Sequence, residues 1–214
     1  MYIIPQNRTC GMIERPILFN GEMVRAILAG KKSQTRRIVK PQPGPHLGYM
    51  MGFAGTYAIQ VGEDYPDNAS DRVTCPYGVP GDRLWVRETL WVRREDPTEY
   101  CYAATDDVSY GGDAEWKKKA SIYCERIESR LLLEITEVRV QRVQEITYSD
   151  VIAEGLTNWL TDEMQTDEAH RRDAKLFYGK LWDILNAKRG FPWFENPWVW
   201  AISFKRITAL FVAR

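Results

Sequence analysis

The alternation of apolar and polar positions divides the chain into short segments of two kinds. Residues 16–19 form a brief apolar stretch that stops at Asn20 and Gly21, after which Met23, Val24, Ile27 and Leu28 recur at helical spacing as far as Gly30. This predicts a strand, a short helix and a glycine stop, with the Asn20 side chain capping the first free amides and Gly30 taking a left-handed turn. Residues 33–39 leave that turn extended. Behind the turn signal of Val79, Pro80, Gly81 and Asp82, Leu84 and Val86 alternate with Trp85 and Arg87, predicting a strand over 83–93. A further strand or hairpin is expected near 100–104. The strongest strand spans 131–143, where Leu131, Leu133 and Ile135 alternate with Leu132, Glu134 and Thr136, and Val138 and Val140 continue past an expected bulge.

Two helices and a final strand follow. Thr147, Tyr148, Ser149 and Asp150 have the form of a capping box, opening a short helix to Glu154 that Gly155 closes. Residues 167–186 predict a longer amphipathic helix with His170, Ala174, Phe177, Leu181, Trp182 and Leu185 on one face. Over 198–205, Trp198, Trp200, Ile202 and Phe204 share one face of a strand, and Val199, Ala201 and Ser203 the other. The intervening 44–81 is rich in Gly, Pro, Asp and Asn without a sustained period, and reads as a long excursion with one hairpin near 56–61. A second, polar excursion covers 105–120. With no repeat and no low-complexity linker, the pattern predicts one α+β domain over 14–207, an N-terminal extension over 1–13 and a tail over 208–214.

Charge narrows the function classes. The 29 Lys plus Arg balance 29 Asp plus Glu, so no global field draws the protein onto nucleic acid, and any such binding uses a local patch. Four cysteines form no CxxC pair, and His46 and His170 are the two histidines, so neither a metal site nor a cofactor is expected. Arg8, Glu14 and Arg15 interrupt the start of the chain, and no apolar run approaches the ~20 residues of a membrane span, which predicts a cytoplasmic protein with free thiols and no membrane contact. The eight tryptophans read by default as core.

One segment breaks the balance. Between Met23 and Lys40 lie six basic residues, Arg25, Lys31, Lys32, Arg36, Arg37 and Lys40, and no carboxylate. Lys31 and Lys32 there either complement a helix dipole or begin a strip of cations that positions phosphates. Strand alternation sends Arg36 and Arg37 to opposite faces, which predicts that both do not enter one pocket. Tyr77, Trp85 and Trp193, at turns or strand ends, are candidates for stacking a base; Trp198 and Trp200 are expected to pack the core. Arg87 and Glu88 form a structural pair or present polar groups to a pocket.

The stretch Ile27, Leu28, Ala29, Gly30, Lys31, Lys32, Ser33, Gln34, Thr35, Arg36, Arg37 resembles the signature of ASCH domains, a helix end followed by GxKxxTxR. Pro80 to Val86 is similar to that family's turn and strand, 146–155 to its later helix, and 121–140 and 196–207 to its later strands. The chain as a whole resembles ASCH-like proteins carried by bacteriophages and prophages, and departs from the minimal family in its N-terminal extension and two excursions. The resemblance implies a PUA-like β-barrel with peripheral helices, in the cytoplasm of a bacterial host or phage-infected cell. Its implied ligand is RNA, single-stranded nucleic acid or a modified nucleoside, held by Gly30, Lys31, Arg36 and Arg37 with Tyr77 and Trp85.

Some small ASCH proteins are amidohydrolases acting on N-acetylcytidine, and their catalytic lysine, threonine and glutamate match Lys32, Thr35 and Glu154. In that role Lys32 is a base, Thr35 a nucleophile or a holder of water, and Glu154 an orienting group and proton shuttle, all without a metal. The base needs its pKa brought from about 10.4 toward 7, against roughly 4–5 kcal/mol of charged-state stability. Neighbouring cations push that way, a paired Glu154 pushes back, and burial decides. Without the resemblance, Thr35 suits any strand and Glu154 a solvated helix end. The competing classes are a non-catalytic RNA-binding module and a phage accessory protein that acts on a host protein through its excursions.

Overall fold

A computed structural model of the chain describes residues 12–43, 47–53, 56–61, 72–106, 115–156 and 168–207. The elements are β1 (Glu14–Leu18), α1 (Gly21–Leu28), β2 (Gln34–Ile38), β3 (Leu47–Phe53), β4 (Thr56–Val61), β5 (Arg72–Thr74), β6 (Arg83–Arg87), β7 (Leu90–Arg93), β8 (Tyr100–Tyr102), β9 (Trp116–Lys119), β10 (Leu132–Arg142), α2 (Tyr148–Ala153), α3 (Glu168–Asn186) and β11 (Trp198–Ile207). The α+β class expected from the pattern is present. Five strands form the main sheet in the order β1-β6-β10-β11-β2, parallel at β1 and β6 and antiparallel elsewhere. Two three-stranded sheets, β3-β4-β5 and β8-β7-β9, complete it.

The sheet has two cores because its central strands are apolar on both faces. Trp198, Trp200, Ile202 and Phe204 of β11 join Leu133 and Ile135 of β10, Leu84 and Val86 of β6, Ile17 of β1, and Val24 and Ile27 of α1 in one cluster. On the other face Val199 packs with Val143, Ile146, Val151 of α2, and Ala174, Tyr178 and Trp182 of α3. The alternation of β11 thus separates α1 from α2 and α3. The long β10 carries its bulge between Ile135 and Glu137, as expected.

Local signals explain most boundaries. Asn20 Oδ1 accepts from the Met23 amide at 2.8 Å, and Gly30 stands at φ 71° past the end of α1. Thr147 and Asp150 close the capping box of α2, with the Thr147 amide donating to Asp150 Oδ2 at 3.0 Å.

Four expectations are corrected. Among the described residues the main sheet does not close into a barrel: β1 and β2 remain its edges, and a side chain spans between them, Arg37 Nη2 donating to the Leu18 carbonyl. The strand read over 83–93 is two strands in different sheets, broken where Glu88 turns inward to meet Arg130 in two bonds of 2.9 Å. The first excursion holds a three-stranded sheet rather than one hairpin, and the second contributes β9. The buried stripe of α3 is Ala174, Tyr178, Trp182 and Asn186, while Phe177 and Leu185 are exposed. His46 and residues 1–11 and 208–214 lie outside the described residues, and the His170 side chain does too.

Candidate functional site

The site is assembled where α1 ends. The Lys31 and Lys32 amides both donate to the Ala26 carbonyl, at 2.8 and 3.1 Å, turning the chain back across the helix end. Lys32 then bridges Glu154 in a single antiparallel pairing, and the Ser33 amide donates to the Ala153 carbonyl at 2.8 Å. Two segments 122 residues apart are thereby locked backbone to backbone. Gly155 is required at this crossing: at φ 90°, a Cβ there would stand 3.0 Å from the Lys32 Cβ and 3.1 Å from that of Ala26.

Lys32 is not a solvated helix-end cation. It is 4% exposed, and its Nζ donates to Glu154 Oε2 at 2.7 Å and to the Glu154 carbonyl at 2.9 Å. Glu154 is likewise buried rather than solvated, and its other oxygen accepts from Arg36 Nη1 at 3.2 Å and from the Tyr178 hydroxyl at 3.4 Å. Arg36 continues the chain of charge. Its Nη1 also donates to Gln34 Oε1 at 2.7 Å, and its Nη2 is 2.9 Å from Asp150 Oδ2. Asp150 in turn accepts from the half-exposed Arg139 at 2.9 Å. Three cations and two carboxylates so form one network from the surface inward.

The electrostatics follow from burial. Burial pushes the Lys32 ammonium below its ordinary 10.5; Glu154 pulls it back up, and Arg37 and Arg36 add to the lowering. The competition left open by the sequence is thus won by desolvation. Asp150 is held well below the usual carboxylate range: burial opposes this, and the Thr147 amide, Arg139 and Arg36 outweigh it. The Tyr178 hydroxyl is pushed well above 10.0, by burial first and by Glu154 next.

A cavity of about 1310 Å³ lies beside this network, bordered by the two edge strands of the main sheet, by α1 and by α3. Lys32, Thr35 and Glu154 all line it, so the three residues matched by resemblance meet one concavity. Thr35 pairs with Ile202 and is 2% exposed, and among the described residues no hydrogen bond reaches its hydroxyl. Arg36 and Arg37 do point to opposite faces, since they pair with Ala201 and Trp200 respectively, yet both line the cavity. The expectation that one pocket cannot take both is corrected, because β2 is an edge strand and the cavity reaches around it. Lys31 and Tyr77 line it as well.

Three other candidates do not reach it. Gly30 has nothing within 4 Å of a Cβ and serves only to stop the helix. Trp85 sits on β6 between β1 and β10, with the Arg87 guanidinium 5.5 Å from its ring centre, and is not part of the cavity wall. Trp193 packs on Tyr178 at 6.1 Å and over Gly179. Of the doublet Arg87 and Glu88, Glu88 pairs with Arg130, and Arg87 borders the cavity while donating to the carbonyls of Cys124 and Ile122. Tyr178, Phe177 and Trp182 of α3 join Phe19 and Tyr77 as the aromatic lining of the cavity. Sequence reasoning missed Tyr178, whose signal was its place three turns into the helix on the line through Ala174 and Trp182. No group of three metal-ligating side chains occurs among the described residues, and no helix there is long and apolar enough to cross a membrane.

No family model matches the chain, and no curated protein does. Among solved structures it is similar to protein EF3133 from Enterococcus faecalis V583, which carries the family label DUF984, at 8% identity and a TM-score of 0.42, over 96% of this chain and 87% of that one. The functional reading therefore rests on the site.

Proposed function

We propose that this chain is an ASCH-type protein that holds a modified nucleoside in the cavity and hydrolyses the acyl amide of an N-acylated cytidine, with Lys32, Thr35 and Glu154 as the reacting groups. The PUA-like relationship belongs to the same proposal, the main sheet being its open counterpart. The single observation that carries the reading is the Lys32–Glu154 pair: an amine driven below its ordinary pKa by burial, 2.7 Å from a carboxylate, beside a threonine hydroxyl without a hydrogen-bond partner among the described residues. With the shared proton on Glu154, neutral Lys32 accepts a proton from water held by Thr35 as that water's oxygen bonds to the acyl carbon. Glu154 delivers its proton to the exocyclic nitrogen as the C–N bond breaks, releasing the amine and the acid. The pair, now ammonium and carboxylate, returns its proton to the starting arrangement. Arg36, fixed between Glu154 and Asp150, keeps the carboxylate oriented.

The test is incubation of the purified protein with N4-acetylcytidine and chromatographic detection of cytidine and acetate. Turnover should fall as rising pH removes the proton that the pair shares and that Glu154 must deliver, and it should persist in chelator. Lys32→Met and Glu154→Gln should each lower the rate by about 10²-fold or more. Absence of cytidine from wild-type reactions, with acetylcytidine still bound, rejects the hydrolase. A second reading, a non-catalytic binder of single-stranded RNA, is favoured by one feature: the hydrogen bonds of Lys32 Nζ go to Glu154 and none goes to Thr35.

A further inference from the structure

The cations around the cavity are not balanced by its carboxylates. Glu22 and Glu154 are the acidic residues of its lining, and both oxygens of Glu154 are engaged by Lys32, Arg36 and Tyr178. Arg37, Lys40 and Arg189 also line it, and among the described residues none of the three forms an ion pair. Lys40 Nζ lies 5.5 Å from the centre of the Phe191 ring, and Arg189 donates to the Asn186 side chain at 3.3 Å. Arg37 is the most exceptional of them. Its Nη2 donates to the Leu18 carbonyl and its guanidinium lies 5.2 Å from the centre of the Phe19 ring, but its Nε is buried with no partner. A guanidinium is charged at any working pH, and holding one partly out of water without an anion is unfavourable. A guanidinium on a cavity wall without an ion pair fits one ligand chemistry best, an oxyanion.

We infer that Arg37, with Lys40 and Arg189, forms an anion subsite for the phosphate of a mononucleotide, so that the ligand of this cavity is a phosphorylated nucleoside rather than a free one. The nucleoside part and its acyl group rest on the function proposed above; the phosphate does not. A cavity of about 1310 Å³ exceeds the ordinary small-ligand range of about 300–1,000 Å³ and accommodates a nucleotide. The aromatic residues Phe177, Tyr178 and Trp182 are assigned to the base, and the three cations to the phosphate. A polynucleotide fits less well, because the chain carries no net positive charge to draw one in.

The experiment is calorimetric titration of the full chain with cytidine 5′-monophosphate, cytidine and inorganic phosphate, for wild type, Arg37→Gln and Arg37→Lys. Wild type should bind the monophosphate about ten- to hundredfold more tightly than cytidine, the range of a charge-assisted hydrogen-bond pair. That ratio should fall to near unity in Arg37→Gln and to an intermediate value in Arg37→Lys, which keeps the charge and loses the fork. Lys40→Ala and Arg189→Ala should each reduce it in part. If Arg37→Gln does not fold, the intermediate ratio of Arg37→Lys decides. Equal wild-type affinity for the two ligands, or a ratio that survives Arg37 substitution, overturns the subsite. An oligocytidylate binding more than about a hundredfold tighter than the monophosphate overturns its mononucleotide form. An Arg37-dependent ratio without hydrolysis of N4-acetylcytidine leaves the subsite standing and removes the hydrolase. Hydrolysis without the ratio does the opposite.

Discussion

At the scale of single residues, Glu154 and Lys32 are not equivalent members of their pair. Glu154 serves two buried cations, Lys32 and Arg36, whereas Lys32 answers to one carboxylate. Removing the carboxylate strands Lys32 and leaves Arg36 to Asp150 alone, and Glu154→Gln should lower stability by about 3–5 kcal/mol in urea unfolding. Lys32→Met leaves Arg36 on Glu154 and should lower it by distinctly less. The pH dependence separates them further. Folded Lys32 holds its proton less tightly than the unfolded chain does, so from its lowered folded value up to 10.5 the unfolded state binds more protons and stability rises with pH. Lys32→Met should lose that rise; an identical pH profile in the variant would show that burial does not lower Lys32.

At the scale of elements, α2 is a small helix with two tasks joined in one side chain. Asp150 closes the capping box through the Thr147 amide and at the same time anchors Arg36 and Arg139. Its folded pKa is depressed, so its contribution is complete above the unfolded value of 3.8 and is lost as pH falls through the folded value. Asp150→Asn should cost about 2–4 kcal/mol at neutral pH, from a cap and a buried ion pair together. The gap from wild type should narrow below pH 3.8, and acid titration of the two unfolding curves measures it. The capping box was legible in the sequence because its four residues are adjacent. The ion network was not, because Arg36, Arg139, Asp150 and Glu154 come from three elements and meet only through the packing of α2 on β2. The same limit explains the other differences. The alternation in β11 and the bulge in β10 are periodic and could be read. The break at Glu88 depends on Arg130 forty-two residues away, and the stripe of α3 depends on which side the main sheet lies.

At the scale of the whole molecule, β11 is the strand on which both layers depend. It contributes Trp198, Trp200, Ile202 and Phe204 to one core and Val199 to the other, and lies between β10 and β2. Trp200 is 1% exposed, so Trp200→Ala should cost about 3–5 kcal/mol and lower cooperative unfolding of the main sheet as a unit. A loss below about 1 kcal/mol would mean that the strand is not central to the packing.

The pairing of β2 with β11 also sets a schedule for biosynthesis. Among the described residues β2 has no other neighbour in the sheet, and its Ile38 faces Val199, 161 residues later. At about 5–20 residues per second, the ribosome leaves the strand bearing Thr35, Arg36 and Arg37 without its partner for roughly ten to thirty seconds. Its two adjacent arginines discourage other nascent chains from adding to it during that wait. The cavity therefore comes into being only after Trp198 and the strand it opens have been made, and a chain broken off before Trp198 has every proposed reacting group and no site in which to use them.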